Sequence, residues 1–131
     1  MQKIRVEQRD RTTIVSITRP QVRNAVDGET ARLLAAAFAD FDADPTSDVA
    51  VLYGEYGTFC AGADLGWMRE QIAADGAARA REAKKLALML NALNLMPKPL
   101  IGRVQGNAFG GGIGMMAVCD VAIGAAGARF G

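Results

Sequence analysis

Two glycine-rich segments hold the residues best suited to chemistry: FCAGADL at residues 59–65 and GNAFGGGIG at residues 106–114. Each follows an apolar run that reads as a strand and precedes a segment that reads as a helix. Backbone N–H groups at such a junction lack intrahelical acceptors, and the partial positive charge of a helix N-terminus favours an anion there. The anion can be transient. When an acyl thioester loses an α-proton or accepts a nucleophile at Cβ, charge builds on its carbonyl oxygen, and a preorganised N–H donor stabilises it by about 3–4 kcal/mol. Ala61, Gly62, Ala63 and the glycines at 110–112 suit this task because a larger side chain would block the carbonyl's approach. A second reading of the triplet stands beside it, since three glycines also permit close packing of a helix on a strand. Two such loops in corresponding places favour the anion site.

Other glycine-loop chemistries fit poorly. The glycine spacing is not that of a dinucleotide fingerprint, and no acidic residue follows a second strand at the required distance. A phosphate-binding Walker loop needs Lys-Ser or Lys-Thr after its glycines, where Ile113 and Gly114 stand. Histidine is absent, which removes Ser-His-Asp triads, Cys-His dyads and histidine metal ligands. No metal is expected. Fifteen basic and fourteen acidic residues give a net charge of +1, with no block of either sign, so neither nucleic acid nor a membrane surface is an expected partner. Cys60 and Cys119 have neither CxxC spacing nor the density of a disulfide scaffold and read as reduced thiols. The N-terminal MQKIRVEQRD lacks an apolar h-region, and no apolar run approaches the length of a membrane span, so a soluble, cytoplasmic protein is expected.

The elements that must position the loops follow from periodicity. Ile4 and Val6 alternate with charged residues, and TTIVSIT follows a polar break at Asp10 and Arg11, which predicts a hairpin ended by Pro20. Asp27 offers an N-cap to a helix with Leu34, Phe38 and Phe41 on one face, closed by Asp44 and Pro45. VAVLYG at 49–54 reads as a strand buried on both faces. A long helix is expected over 77–96, with Leu86, Met89, Leu90, Leu93 and Met96 inward and Arg79, Arg81, Lys84 and Lys85 outward, stopped by Pro97. LIGRVQG at 100–106 reads as a strand, IGMMAVC as a buried helix, and Asp120 with VAIG as a further strand. The order is α/β, in a chain whose length and half-hydrophobic composition suit one domain over residues 1–131.

The motifs RPQVRNAV at 19–26, GTFCAGADL at 57–65, KPLIGRVQGNAFGGG at 98–112 and CDVAIGAAGARFG at 119–131 occur in an order that resembles the enoyl-CoA hydratase/isomerase (crotonase) superfamily. The resemblance covers essentially the whole chain. It implies an α/β, crotonase-like spiral of ββα units, here its N-terminal part, and a homotrimer or dimer of trimers. It also implies an acyl-CoA substrate, with coenzyme A entering as part of that substrate rather than as a separate cofactor. Carried over by position, the N–H groups of Ala63 and Gly111 would form the oxyanion hole. The backbone around Ala61 would meet the adenine, and Arg23, beside Asn24, would lie near the CoA phosphates. Gly62, Asp64, Leu65 and Gly110 would belong to the substrate site. Arg23 equally reads as a solvated turn arginine, and Asp64 as an N-cap or loop brace.

The chain departs from the family at its acids. Family hydratases use two glutamates, one to activate water and one to deliver a proton. The first position is Gly114 here, and the second lies beyond ARFG, past Gly131. The chain is therefore expected to be an N-terminal portion that exposes apolar surface unless chains associate. GADLGWM at 62–68 and GNAFGGGIGMMAVCD at 106–120 resemble the methylglutaconyl-CoA and isohexenylglutaconyl-CoA hydratase-like branch. Loss of the first acid also suits Δ3,Δ2-enoyl-CoA isomerase-like members or a catalytically silent acyl-CoA-binding subunit. Trp67 and Met68 read either as acyl-pocket walls or as core.

Overall fold

The structure, a computed structural model, describes residues 2–131. In chain order its elements are β1 (Ile4–Arg9), β2 (Thr12–Ile17), α1 (Gly28–Ala43), β3 (Val49–Gly54), β4 (Thr58–Cys60), α2 (Leu65–Ala73), α3 (Gly76–Leu95), β5 (Leu100–Val104), β6 (Asn107–Ala108), α4 (Gly111–Ala117) and β7 (Val121–Gly124). A five-stranded sheet has the order β1-β2-β3-β5-β7. Its first pair is the expected antiparallel hairpin, with Ile4 opposite Ile17 and Arg9 opposite Thr12, and the other pairs are parallel.

A second, two-stranded parallel sheet pairs β4 with β6. Single bridges extend it from Val26 to Ala63 and from Ala108 to Phe130. Each turn of the chain thus lays one strand in the large sheet, a short extended piece in the small one, and then a helix. This is the ββα unit, and its second β is the part that periodicity missed. Two or three residues are too few to show an alternation.

The helices start where the caps predict. The Asp27 carboxylate accepts the Thr30 N–H at 2.8 Å, and those of Asp64 and Asp75 do the same for Trp67 and Ala78. The single long helix of the sequence reading is preceded by a separate one, α2, because Asp75 caps a fresh start at Gly76. Lys98 closes α1 from a distance: its ammonium donates to the carbonyls of Phe41, Asp44 and Ser47 at 2.7–2.8 Å, a cation placed at a helix C-terminus.

The core lies between the large sheet and the α1–α3 pair. Leu34, Phe38 and Phe41 of α1 meet Met89 and Leu93 of α3 over Val15, Ile17, Leu52, Leu100 and Val104. Burying each such side chain contributes about 1.5–3 kcal/mol. β3 alternates half-buried with buried residues, so one of its faces is only partly covered, contrary to the expected burial on both. In α4 only Gly112 and Met115 are buried, so that helix is peripheral rather than internal. β7, at the sheet edge, is exposed along its whole length. Among the described residues, no helix is long and apolar enough to cross a membrane.

Candidate functional site

The two glycine loops come together at the small sheet. Pairing of β4 with β6 sets Cys60 opposite Ala108, and the Phe109 N–H donates to the Cys60 carbonyl at 3.0 Å. Gly62 sits at φ 97°, and a Cβ there would lie 2.8 Å from the Phe109 carbonyl oxygen and 3.3 Å from the Gly111 nitrogen. The close approach of two backbones therefore requires glycine at 62.

The three glycines of the triplet differ in what surrounds them. Gly112 is there for packing, because a Cβ would fall 2.4 Å from the Cys60 carbonyl oxygen. Gly110 supplies a φ of 53° with ψ −121°, which a side chain resists. At Gly111 the space is open: a Cβ would lie 3.9 Å from Gly62 Cα and 4.0 Å from the Ala63 nitrogen. A side chain at 111 would thus project over the Ala63 amide.

Bridge geometry aims that amide. Val26 N–H donates to the Gly62 carbonyl at 2.8 Å, and Asp64 N–H donates to the Val26 carbonyl at 2.9 Å. Because successive peptides in extended chain point to opposite sides, the Ala63 N–H faces away from Val26. Among the described residues, neither the Ala63 N–H nor the Gly111 N–H has a hydrogen-bond acceptor in the loops, caps or side chains. Gly62 N–H, by contrast, turns inward to the buried Cys60 Sγ at 3.4 Å. The last residues described complete the frame: Ala108 N–H donates to the Arg129 carbonyl, and Gly110 N–H to the Gly131 carbonyl at 2.8 Å.

Beside the amides runs a groove of about 500 Å³ whose walls include Arg23, Ala61, Ala63, Asp64 and Leu65. Five sequence-predicted site residues therefore share one wall system; Gly62 is buried, and Gly110 and Gly111 lie against Gly62 but are not among the groove's walls. Arg23 is exposed and left-handed at φ 53°, and its carbonyl accepts the Ala61 N–H at 3.1 Å. Asn24 holds this turn from inside. Its Oδ1 accepts the Arg19 N–H, and its Nδ2 donates to the carbonyls of Glu55 and Thr58, all at 2.7–2.8 Å.

Asp64 caps α2, as the sequence reading allowed, and its other oxygen meets the guanidinium of Arg19 at 3.1 Å. It is the one carboxylate among the residues lining the groove. Gly114 lies one turn after Gly111 on α4, half-buried, with only the Leu90 methyls at 4.0 Å from where its Cβ would be. Trp67 is not in the groove: its Nε1 donates to Glu82 at 3.1 Å, tying α2 to α3, and it lines a separate acidic recess with Asp27, Glu29 and Glu70. Met68 is exposed. The braces at Arg19, Asn24 and the Gly131 carbonyl escaped the sequence reading because their partners lie far along the chain or on backbone atoms.

Residues 7–131 match the Enoyl-CoA hydratase/isomerase family. The chain belongs to that family. A mevalonyl-coenzyme A hydratase of Beauveria bassiana is 37% identical over 123 residues, which are 90% of this chain and 44% of that protein. An enoyl-CoA hydratase of Mycobacterium tuberculosis is 32% identical over 96% of this chain and 47% of its own length. Among solved structures, an enoyl-CoA hydratase from Shewanella pealeana superimposes with a TM-score of 0.93 at 29% identity, over 98% of this chain and 49% of that one. An enoyl-CoA hydratase/isomerase from Marinobacter aquaeolei gives 0.90 at 30% identity, over 98% and 51%. The fold is that of the family, and the chain spans about half the length of the relatives it matches.

Proposed function

We propose that the groove binds an acyl-CoA thioester with its carbonyl oxygen between the N–H groups of Ala63 and Gly111. The observation that carries this reading is the pair of unengaged amides on two adjoining loops, one of them aimed by the Val26 bridge. Such donors polarise the carbonyl and stabilise the enolate formed when an α-proton leaves or a nucleophile adds at Cβ. Arg23, exposed at the groove's rim, supplies a cation for the CoA phosphates, and the backbone near Ala61 a surface for the adenine. The reaction proposed is hydration or isomerisation of a 2-enoyl-CoA of fatty-acid or branched-chain acyl-CoA metabolism. Names of the similar proteins, hydratases of CoA thioesters, support that class.

Replacing Gly111 by proline tests the reading, because proline suits the first position of a helix, removes the N–H and sets a ring beside the Ala63 amide. The lost hydrogen bond, about 1–1.5 kcal/mol, together with the ring's obstruction weakens acetoacetyl-CoA at least roughly tenfold in a calorimetric titration. Absence of acetoacetyl-CoA binding to the unaltered chain, or equal affinity in the variant, would sink it.

A second reading rests on Gly114. Without a side chain there, and with Asp64 committed to Arg19 and Trp67, the groove holds no free carboxylate for proton transfer. The chain is then a silent acyl-CoA-binding unit. Hydration of crotonyl-CoA that the Gly111→Pro change abolishes would exclude this, whereas α-proton exchange without water addition would identify an isomerase.

A further inference from the structure

Arg19 has no part in the chemistry above, yet it is 7% exposed and the one lysine or arginine buried among the described residues. Its guanidinium meets Asp64 at 3.1 Å and Asp27 at 3.3 Å and donates to the Ala25 carbonyl at 2.5 Å. Each carboxylate also caps a helix, Asp27 at α1 and Asp64 at α2. Burying a cation is costly unless several partners compensate it, and here they come from both strands of the Val26–Ala63 bridge.

We propose that Arg19 is a positioning residue for the oxyanion site. A planar fork with donors in fixed directions can hold two carboxylates and a carbonyl in one geometry, which a lysine cannot reproduce. Through Ala25 and Asp27 it grips the segment that supplies Val26, and through Asp64 it grips the residue after Ala63. The bridge between those grips turns the Ala63 N–H away from Val26. The strut therefore fixes the direction of that N–H, while contacts to the CoA moiety lie elsewhere. This inference rests on the thioester reading above.

The test uses cinnamoyl-CoA, whose conjugated thioester absorbs further to the red as its carbonyl is polarised, with free CoA as the control for the rest of the site. Arg19→Lys keeps the charge and loses the fork. Arg19→Gln loses both the charge and the fork but keeps a side-chain donor, and Asp27 keeps Lys3 at 2.7 Å. Expected for both is CoA affinity close to that of the unaltered chain, with the red shift of bound cinnamoyl-CoA cut by about half or more as the Ala63 donor loses its alignment. A full red shift in the folded variants would overturn the positioning role while leaving the thioester reading intact. No red shift in the unaltered chain would overturn that reading and this inference together.

Discussion

Gly62 concentrates the cost of building the site, for it combines a positive φ with a backbone approach that leaves no room for Cβ. Gly62→Ala is expected to lose about 1–3 kcal/mol in urea unfolding and to abolish the proposed acyl-CoA binding, because Phe109 and the second loop must move away. An unchanged midpoint would contradict the closeness of the loops. The thiols behave differently from reactive cysteines. Burial pushes the Cys60 thiol up, and burial together with Asp120 raises Cys119 to about 11. Both should therefore alkylate slowly with iodoacetamide at neutral pH in the folded chain and quickly in denaturant, since the thiolate is the reacting form. Rapid modification of the native protein would show that one of these environments is wrong.

The caps of α1 and α2 join folding to site geometry, because the carboxylates that start both helices also hold Arg19. Burial alone would raise the Asp27 carboxyl, but hydrogen bonds from Lys3 and Thr30 and the charge of Arg19 outweigh it and hold it at about 2. A depressed carboxylate contributes stability above its unfolded pKa of about 3.9, and that contribution is lost as pH falls through the folded value. Urea midpoints should therefore fall between about pH 4 and pH 2, and Asp27→Asn should flatten that part of the profile. An equally steep profile in the variant would assign the acid sensitivity to other groups.

The molecule as a whole leaves apolar surface uncovered on the sheet edge, where β7 exposes Val121 at 53% and Ile123 at 61%, with Phe130 exposed nearby. An unpaired edge strand carrying exposed β-branched residues is prone to pair with another chain. Sedimentation of the chain should show concentration-dependent association that Ile123→Lys reduces, and a monomer at all concentrations would argue that this edge is tolerated in water. Much of the fold was legible in advance: the hairpin, the capped helices and the parallel strands all carry a local period or a punctuating residue. Several contacts that assemble the site were not. The strands β4 and β6 are too short to show a pattern, and the partners of Asn24, at Glu55 and Thr58, are backbone carbonyls that any sequence would supply. By itself, then, the sequence determined the family, the order of elements and the residue types at both glycine loops, because small side chains and family motifs are local properties. Only the tertiary structure decided which glycine serves packing and which opens space, which way the Ala63 amide points, and that a buried arginine ties two helix caps together. Those outcomes depend on distances between segments that meet only after the chain has wound back on itself.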